Sequence, residues 1–110
     1  MEKVLLYQMD SLYRDSFKIY GYHFGGNEKT VCIVGAIRGN EIQQLYMCSN
    51  LIKTLKLLEE RRCLDENLGI MIVPSVNPYS LNTSTRFWAT DNTDINRMFP
   101  GYDLGETTQR

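Results

Sequence analysis

The chain has 110 residues, of which 43% are hydrophobic and 23% charged; this balance is typical of one globular domain, so we predict a single domain over residues 1–110. Twelve Lys and Arg stand against thirteen Asp and Glu for a net charge of −1, and no basic cluster alternates with aromatic residues, which excludes a nucleic-acid groove. No secretory leader is visible and no apolar run approaches the roughly 20 residues that cross a bilayer, so we expect a cytoplasmic protein without a membrane partner.

Two strands are predicted at the start of the chain. Residues 3–9 and 16–24 are rich in β-branched and aromatic side chains, and such runs favour strands. The sequence G-G-N at residues 25–27 is a turn signal. The short apolar run that follows, at residues 30–34, predicts a third strand that is buried on both faces.

The most regular helical pattern spans residues 41–62, where apolar residues recur at steps of three and four. The predicted buried face consists of Ile42, Leu45, Tyr46, Ile52, Leu55 and Leu58. Gly69 then precedes an apolar run that Pro74 ends, which predicts another buried strand. The order strand, helix, strand from Val31 to Val73 predicts a right-handed crossover, and hence a sheet that is at least partly parallel.

The segment from residue 75 to 101 is mostly polar and is predicted to be a loop. Loops of this length in compact domains are usually functional, so function should be sought there. Residues 103–110 begin a helical pattern that ends before an apolar face develops. The three cysteines, Cys32, Cys48 and Cys63, lack metal-ligand spacing and predict buried thiols.

The first candidate site is the sequence G-A-I-R-G-N-E at residues 35–41, between the third strand and the helix. Open α/β sheets bind their ligands at this carboxyl edge. Gly35 and Gly39 allow a tight turn, and the free amides at the helix start favour an anionic group. The alternative is that the glycines only pack the helix on the sheet and that Glu41 only complements the helix dipole.

The second candidate site lies in the polar segment, where Arg86, Asn96 and Arg97 fall within twelve residues. Guanidinium forks bind carboxylates with two hydrogen bonds, and an amide or guanidinium can polarise a carbonyl. These residues therefore predict a site for a small carboxylate-bearing ligand. The alternative is that the arginines only shape the loop by pairing with its acidic residues, Asp91, Asp94 and Asp103.

Four motifs stand in a fixed order: G-x-x-x-G-N-E at 35–41, N-P at 77–78, R-F at 86–87 and D-x-N-R-x-F-P-G at 94–101. In this order they resemble the succinylglutamate desuccinylase and aspartoacylase branch of the zinc carboxypeptidases. The resemblance covers residues 31–110, and the two leading strands match only in type. It implies a zinc-carboxypeptidase-like fold and the zinc-dependent hydrolysis of an amide in a small acylated amino acid or peptide, in which zinc activates a water.

By the same resemblance, Glu41 would be a zinc ligand, Arg86 would polarise the scissile carbonyl, and Asn96 with Arg97 would bind the substrate carboxylate. Where the family has His in H-x-x-E, this sequence has Arg38, whose guanidinium has no lone pair to donate to zinc. The family's other zinc-binding His and its general-base Glu lie downstream of the D-x-N-R motif, beyond residue 110. We therefore expect zinc in the family and an incomplete zinc site in this chain.

The sequence thus predicts the amino-terminal part of an α/β domain, incomplete, with a mixed and partly parallel sheet and flanking helices. Its predicted function is that of a truncated metallohydrolase of the deacylase or carboxypeptidase type without a complete active site. One alternative is a non-catalytic carboxylate-binding module, in which Arg38 joins Arg86 and Arg97 around an anion. Another is an assembly module that self-associates through an uncovered sheet edge.

Overall fold

The computed structural model of the protein describes residues 1–10, 16–88, 92–102 and 104. The helices and strands are β1 (Glu2–Met9), β2 (Phe17–Gly25), β3 (Lys29–Val34), α1 (Ile42–Glu60), β4 (Leu68–Val73) and α2 (Pro78–Thr83), followed by a single 3-10 turn at Ile95–Arg97. The four strands and α1 were predicted, with ends that differ by about two residues at most. The short helix α2 was not, because only six residues are helical and its apolar pattern is too short to be seen. The predicted helical turn at 103–110 lies outside the described residues except for Leu104.

The four strands form one sheet in the order β1-β2-β4-β3. β3 and β4 are parallel, and the long helix α1 connects them, as a crossover connection between parallel strands requires. β2 runs antiparallel to β4 on its other side, and β1 pairs antiparallel with β2. The prediction of a mixed, partly parallel α/β fold is confirmed.

The hydrophobic core lies between α1 and the middle of the sheet. Phe24 of β2 and Ile72 of β4 are fully buried, and Cys48 and Leu55 of α1 pack against them. β2 and β4 are the strands that α1 contacts most. Because these two strands occupy the centre of the sheet, the alternating apolar side chains of their covered faces supply most of the buried surface.

The prediction that β3 is buried on both faces was wrong. Every residue of Lys29–Val34 is exposed, including the apolar Val31, Ile33 and Val34. β3 lies at the edge of the sheet, and α1 crosses over β2 and β4 instead of covering it. An apolar run alone could not distinguish a covered strand from an uncovered edge strand.

The predicted buried face of α1 is only half correct. Leu55 is buried, but Ile42 and Tyr46 in the first turns are 56% and 67% exposed. Of the cysteines, Cys48 is buried, whereas Cys32 and Cys63 are exposed, contrary to prediction. Among the described residues, neither helix has the length and apolar character needed to cross a membrane.

The end of α1 is fixed by its backbone. Arg62 adopts a left-handed conformation (φ 57°), its amide donates to the carbonyl of Glu59, and the amide of Cys63 donates to the carbonyl of Leu58. This is the hydrogen-bond pattern of a Schellman motif, which satisfies the last carbonyls of a helix. The chain then turns back towards β4.

Candidate functional site

The loop at residues 35–41 joins the carboxyl end of β3 to α1 and is fastened on two sides. The amide of Gly35 donates to the carbonyl of Val73 at 2.9 Å, and the amide of Ala36 donates to Oε1 of Gln44 at 2.9 Å. A Cβ at Gly35 would lie 2.7 Å from Sγ of Cys48. Gly35 is therefore required for close approach to α1, while Ala36 is the residue with a positive φ, 47°.

The same loop packs directly on α2. A Cβ at Gly39 would lie 2.2 Å from the carbonyl carbon of Ser80, so this glycine too serves close packing. Nδ2 of the fully buried Asn77 donates to the carbonyl of Ile37 at 3.2 Å, while Oδ1 accepts from the amide of Ser80 at 3.3 Å. The hydroxyl of Ser80 donates to the carbonyl of Phe87. Residues 35–41 and 77–87 are thus joined into one unit.

Arg38, Glu41, Asp94 and Arg97 form a cluster of alternating charge, which we call the ion cluster. Nη2 of Arg38 lies 3.3 Å from Oδ2 of Asp94, and Nη1 lies 3.8 Å from Oε1 of Glu41. Nε of Arg97 lies 3.5 Å from the same oxygen of Asp94. The side chain of Asp94 is 10% exposed and that of Arg97 is 77% exposed. Asp94 is therefore the inner member and Arg97 the outer one.

The protonation of Asp94 reflects these contacts. Burial tends to raise the pKa of its carboxyl group, but the hydrogen bonds from Arg38 and from the amide of Asn96, together with the charges of Arg38 and Arg97, outweigh burial and hold this pKa below its ordinary value. Asp94 is consequently ionised at neutral pH, and its charge balances one of the two guanidinium groups.

Arg86 and Asn96 occupy more open positions. Arg86 is exposed, and its guanidinium carbon lies 5.2 Å from the centre of the Phe87 ring. Asn96 is exposed, and its amide donates to Oδ1 of Asp94 at 3.1 Å. The structure therefore brings Arg38, Glu41 and Arg97 together around Asp94. In the described part of the chain, Arg86 makes no hydrogen bond or ion pair to these groups.

The pairing of Arg97 with Asp94 is one of the contacts considered in the alternative interpretation, in which the arginines only shape the loop. It uses Nε of the guanidinium, and the side chain of Arg97 is 77% exposed. The other two aspartates considered as partners, Asp91 and Asp103, lie outside the described residues.

The zinc that the resemblance implies does not fit these residues. Glu41, the expected ligand, faces the guanidinium of Arg38 at 3.8 Å, and a permanently charged group with no lone pair repels a cation. Within residues 1–10, 16–88, 92–102 and 104, no group of three His, Cys, Asp or Glu side chains could hold a metal ion. A catalytic zinc site needs three protein ligands.

Two residues that organise this site were not predicted to do so: Asn77 and Ser80 join the two loops. Asp94, one of three aspartates considered as partners of the arginines, joins Arg38 and Arg97. Asn77 carries a recognisable signal, since Asn followed by Pro is a helix-start sequence. Asp94 caps the 3-10 turn by accepting from the amide of Asn96, which is an Asx turn that D-x-N suggests.

A family model described as the succinylglutamate desuccinylase/aspartoacylase catalytic domain matches residues 27–110. No curated protein sequence matches the chain. Several solved structures do. An aspartoacylase family protein from Mesorhizobium loti is 27% identical with a TM-score of 0.70, and the match covers 86% of this chain and 29% of that one.

Two further structures have a similar relation to the chain. A succinylglutamate desuccinylase/aspartoacylase from Rhodobacter sphaeroides is 26% identical with a TM-score of 0.65, over 86% of this chain and 27% of that one. A succinylglutamate desuccinylase from a Silicibacter species is 26% identical with a TM-score of 0.68, over 97% of this chain and 31% of that one. The chain thus spans less than a third of the length of each of these three structures.

Proposed function

Because the chain belongs to the succinylglutamate desuccinylase/aspartoacylase catalytic domain family, we propose that it binds a small carboxylate-bearing amide, such as an N-acylated amino acid, as the substrate-side part of a deacylase-type hydrolase. The observation that supports this proposal is the placement of Arg97. Its Nε lies 3.5 Å from Oδ2 of Asp94 while the side chain is 77% exposed, so the guanidinium is open to a ligand carboxylate. A guanidinium held in this way loses little further freedom on binding.

In this proposal Arg97 binds the carboxylate of the ligand with two hydrogen bonds. Asn96, the neighbouring residue on the same 3-10 turn, offers its side-chain amide to the same group. Arg86, which lies against the Phe87 ring, directs its charge at the amide carbonyl of the ligand, where negative charge develops during hydrolysis. All three groups act on the substrate.

The zinc-dependent step that the family resemblance implies is not proposed for these residues, because Arg38 stands where the family has a histidine and pairs with Glu41. When bound, zinc would supply an activated water. Residues 1–110 alone are therefore proposed to bind the substrate without completing the catalytic site.

Thermal unfolding tests the binding proposal. N-succinylglutamate at ten times its dissociation constant should stabilise the protein by about 1.4 kcal/mol, which raises the melting temperature of a domain of this size by about 6 °C. Arg97→Ala should abolish the shift. Arg61→Ala, which removes the same charge from an exposed site at the end of α1, should retain it. No shift with N-succinylglutamate or with simple dicarboxylates in the wild-type protein would refute the proposal.

A non-catalytic carboxylate-binding module, with Arg97 as its anion ligand, is the second candidate. The pairing of Arg38 with Glu41 and Asp94 favours it because this pairing leaves no place for zinc beside Glu41; the same pairing argues against Arg38 as an anion ligand. The two candidates differ in their ligands, because neither expects residues 1–110 alone to hydrolyse N-succinylglutamate. The substrate-side part of a deacylase should bind N-succinylglutamate more tightly than succinate or glutamate. Equal binding of all three would favour the module.

We also propose that the β3 edge of the sheet associates with another copy of the chain. The supporting observation is the exposure of Val31, Ile33 and Val34 on β3, at 52%, 37% and 41%. An edge strand with exposed apolar side chains is a template for pairing. Sedimentation velocity should show concentration-dependent association that Ile33→Lys abolishes, while Gln43→Lys in the exposed first turn of α1 leaves it unchanged. A monomer at all concentrations would rule this out.

A further inference from the structure

A guanidinium group lies between two carboxylates at the start of α1. Arg38 uses one terminal nitrogen for Asp94, at 3.3 Å, and the other for Glu41, at 3.8 Å. The side chains of Arg38, Glu41 and Asp94 are 25%, 29% and 10% exposed. These charges are partly withdrawn from water, where ion pairs are screened less than on an open surface.

The two carboxylates come from separate parts of the molecule. Glu41 precedes the first residue of α1, and Asp94 precedes the 3-10 turn at Ile95–Arg97. Two carboxylates brought to one place repel each other unless a cation lies between them. In metalloproteins a bound metal ion commonly joins acidic side chains from different elements in this way.

From this geometry we infer that Arg38 is a built-in cation that takes the structural place of a metal ion: it fastens the loop bearing Asn96 and Arg97 to the start of α1. The same charge keeps zinc away from Glu41. A guanidinium stays protonated at any ordinary pH, so this fastening needs no cofactor. Arg38 orders this loop whether or not a carboxylate ligand binds there.

Hydrogen exchange tests the fastening. The amides of Arg97 and Met98 donate to carbonyls within the turn, at 3.0 Å each, and report on its order. Arg38→Ala should accelerate their exchange about tenfold or more, because a partly buried carboxylate loses its charge-assisted partner. The amide of Ile72, in the core strand β4, should exchange as before. Arg61→Ala is the matched control and should change none of these rates.

Chemical rescue separates a cation from a mere space-filling side chain. Millimolar methylguanidinium should restore slow exchange in Arg38→Ala, since it supplies the same fork, and an equal concentration of urea should not. Arg38→Lys, which keeps the charge but not the fork, should fall between the wild type and Arg38→Ala. Unchanged exchange in Arg38→Ala, or rescue by urea as well, would overturn the inference.

Zinc retention tests whether the charge of Arg38 keeps zinc away from Glu41. The wild-type protein should retain far less than one equivalent of zinc after dialysis against a weak chelator. Arg38→His should retain more, because the imidazole would join Glu41 and Asp94 as a third donor. One equivalent of zinc held by the wild type, which needs no variant to measure, would overturn the inference. So would a folded Arg38→His protein that retains no more zinc than the wild type.

Discussion

Asn77 holds the two candidate loops together, and its removal should cost measurable stability. The side chain is fully buried and makes two hydrogen bonds, one to the carbonyl of Ile37 and one from the amide of Ser80. Asn77→Ala loses the helix cap, worth about 1 kcal/mol, and leaves the Ile37 carbonyl without this donor, worth about 1 kcal/mol more. We expect a loss of about 2 kcal/mol in the free energy of unfolding.

Urea unfolding followed by far-ultraviolet circular dichroism measures this loss. With a slope of about 2 kcal/mol per M, the midpoint should fall by about 1 M. Asn77→Asp keeps the acceptor for the Ser80 amide but loses the donor to the Ile37 carbonyl, so it separates the two contributions. It should lower the free energy of unfolding by at least about 1 kcal/mol, the value assigned to the Ile37 hydrogen bond. Asn67→Ala, at an exposed turn before β4, should change stability by less than about 0.5 kcal/mol. If Asn77→Ala is as mild as Asn67→Ala, the two loops are not joined as described.

Two further predictions concern the same region. Gly39→Ala would place a Cβ 2.2 Å from the carbonyl carbon of Ser80, so α2 must shift and the free energy of unfolding should fall by about 1–3 kcal/mol. Gly21→Ala is the control and should cost less, because its added Cβ would meet only flexible side chains. Equal losses of the two variants in urea unfolding would contradict this explanation. Because the folded-state pKa of Asp94 is lowered, its contribution is present above the unfolded value of about 3.9 and is lost as pH falls through the folded-state pKa. The stability difference between the wild type and Asp94→Asn should therefore be present at pH 7 and shrink below about pH 4, and a pH-independent difference would count against the Arg38 pairing.

The sequence was sufficient to predict the crossover from β3 through α1 to β4. Its signals are local: an apolar run, a glycine turn, a periodic helix and a run stopped by Pro74. Burial was predicted less well, because it depends on which neighbour covers each element. α1 covers β2 and β4, so the apolar residues of β3 and the first turns of α1 remain exposed, and no local pattern indicates that choice.

The candidate site shows the same limit. The sequence indicated two candidate sites, one with Arg38 and Glu41 and one with Arg86, Asn96 and Arg97, and the structure brings Arg38, Glu41 and Arg97 together around Asp94. Their common partner, Asp94, could not be chosen from the sequence, because ion pairs between distant positions depend on how the two loops are placed. Placement in turn depends on Asn77, a residue whose local capping signal is visible but whose second bond, to Ile37, is not.

Trp88 gives the region a natural optical probe. It is the single tryptophan of the chain, is 3% exposed, and packs edge-on against Phe17 of β2 with ring centres 5.4 Å apart. Its backbone also bonds to Thr93 and Asn92, immediately before the ion cluster residue Asp94. The wavelength of its fluorescence emission should therefore distinguish a docked loop from a released one without any chemical label. During unfolding, a red shift of this emission that precedes the loss of helix would mean that the loop detaches before the core unfolds.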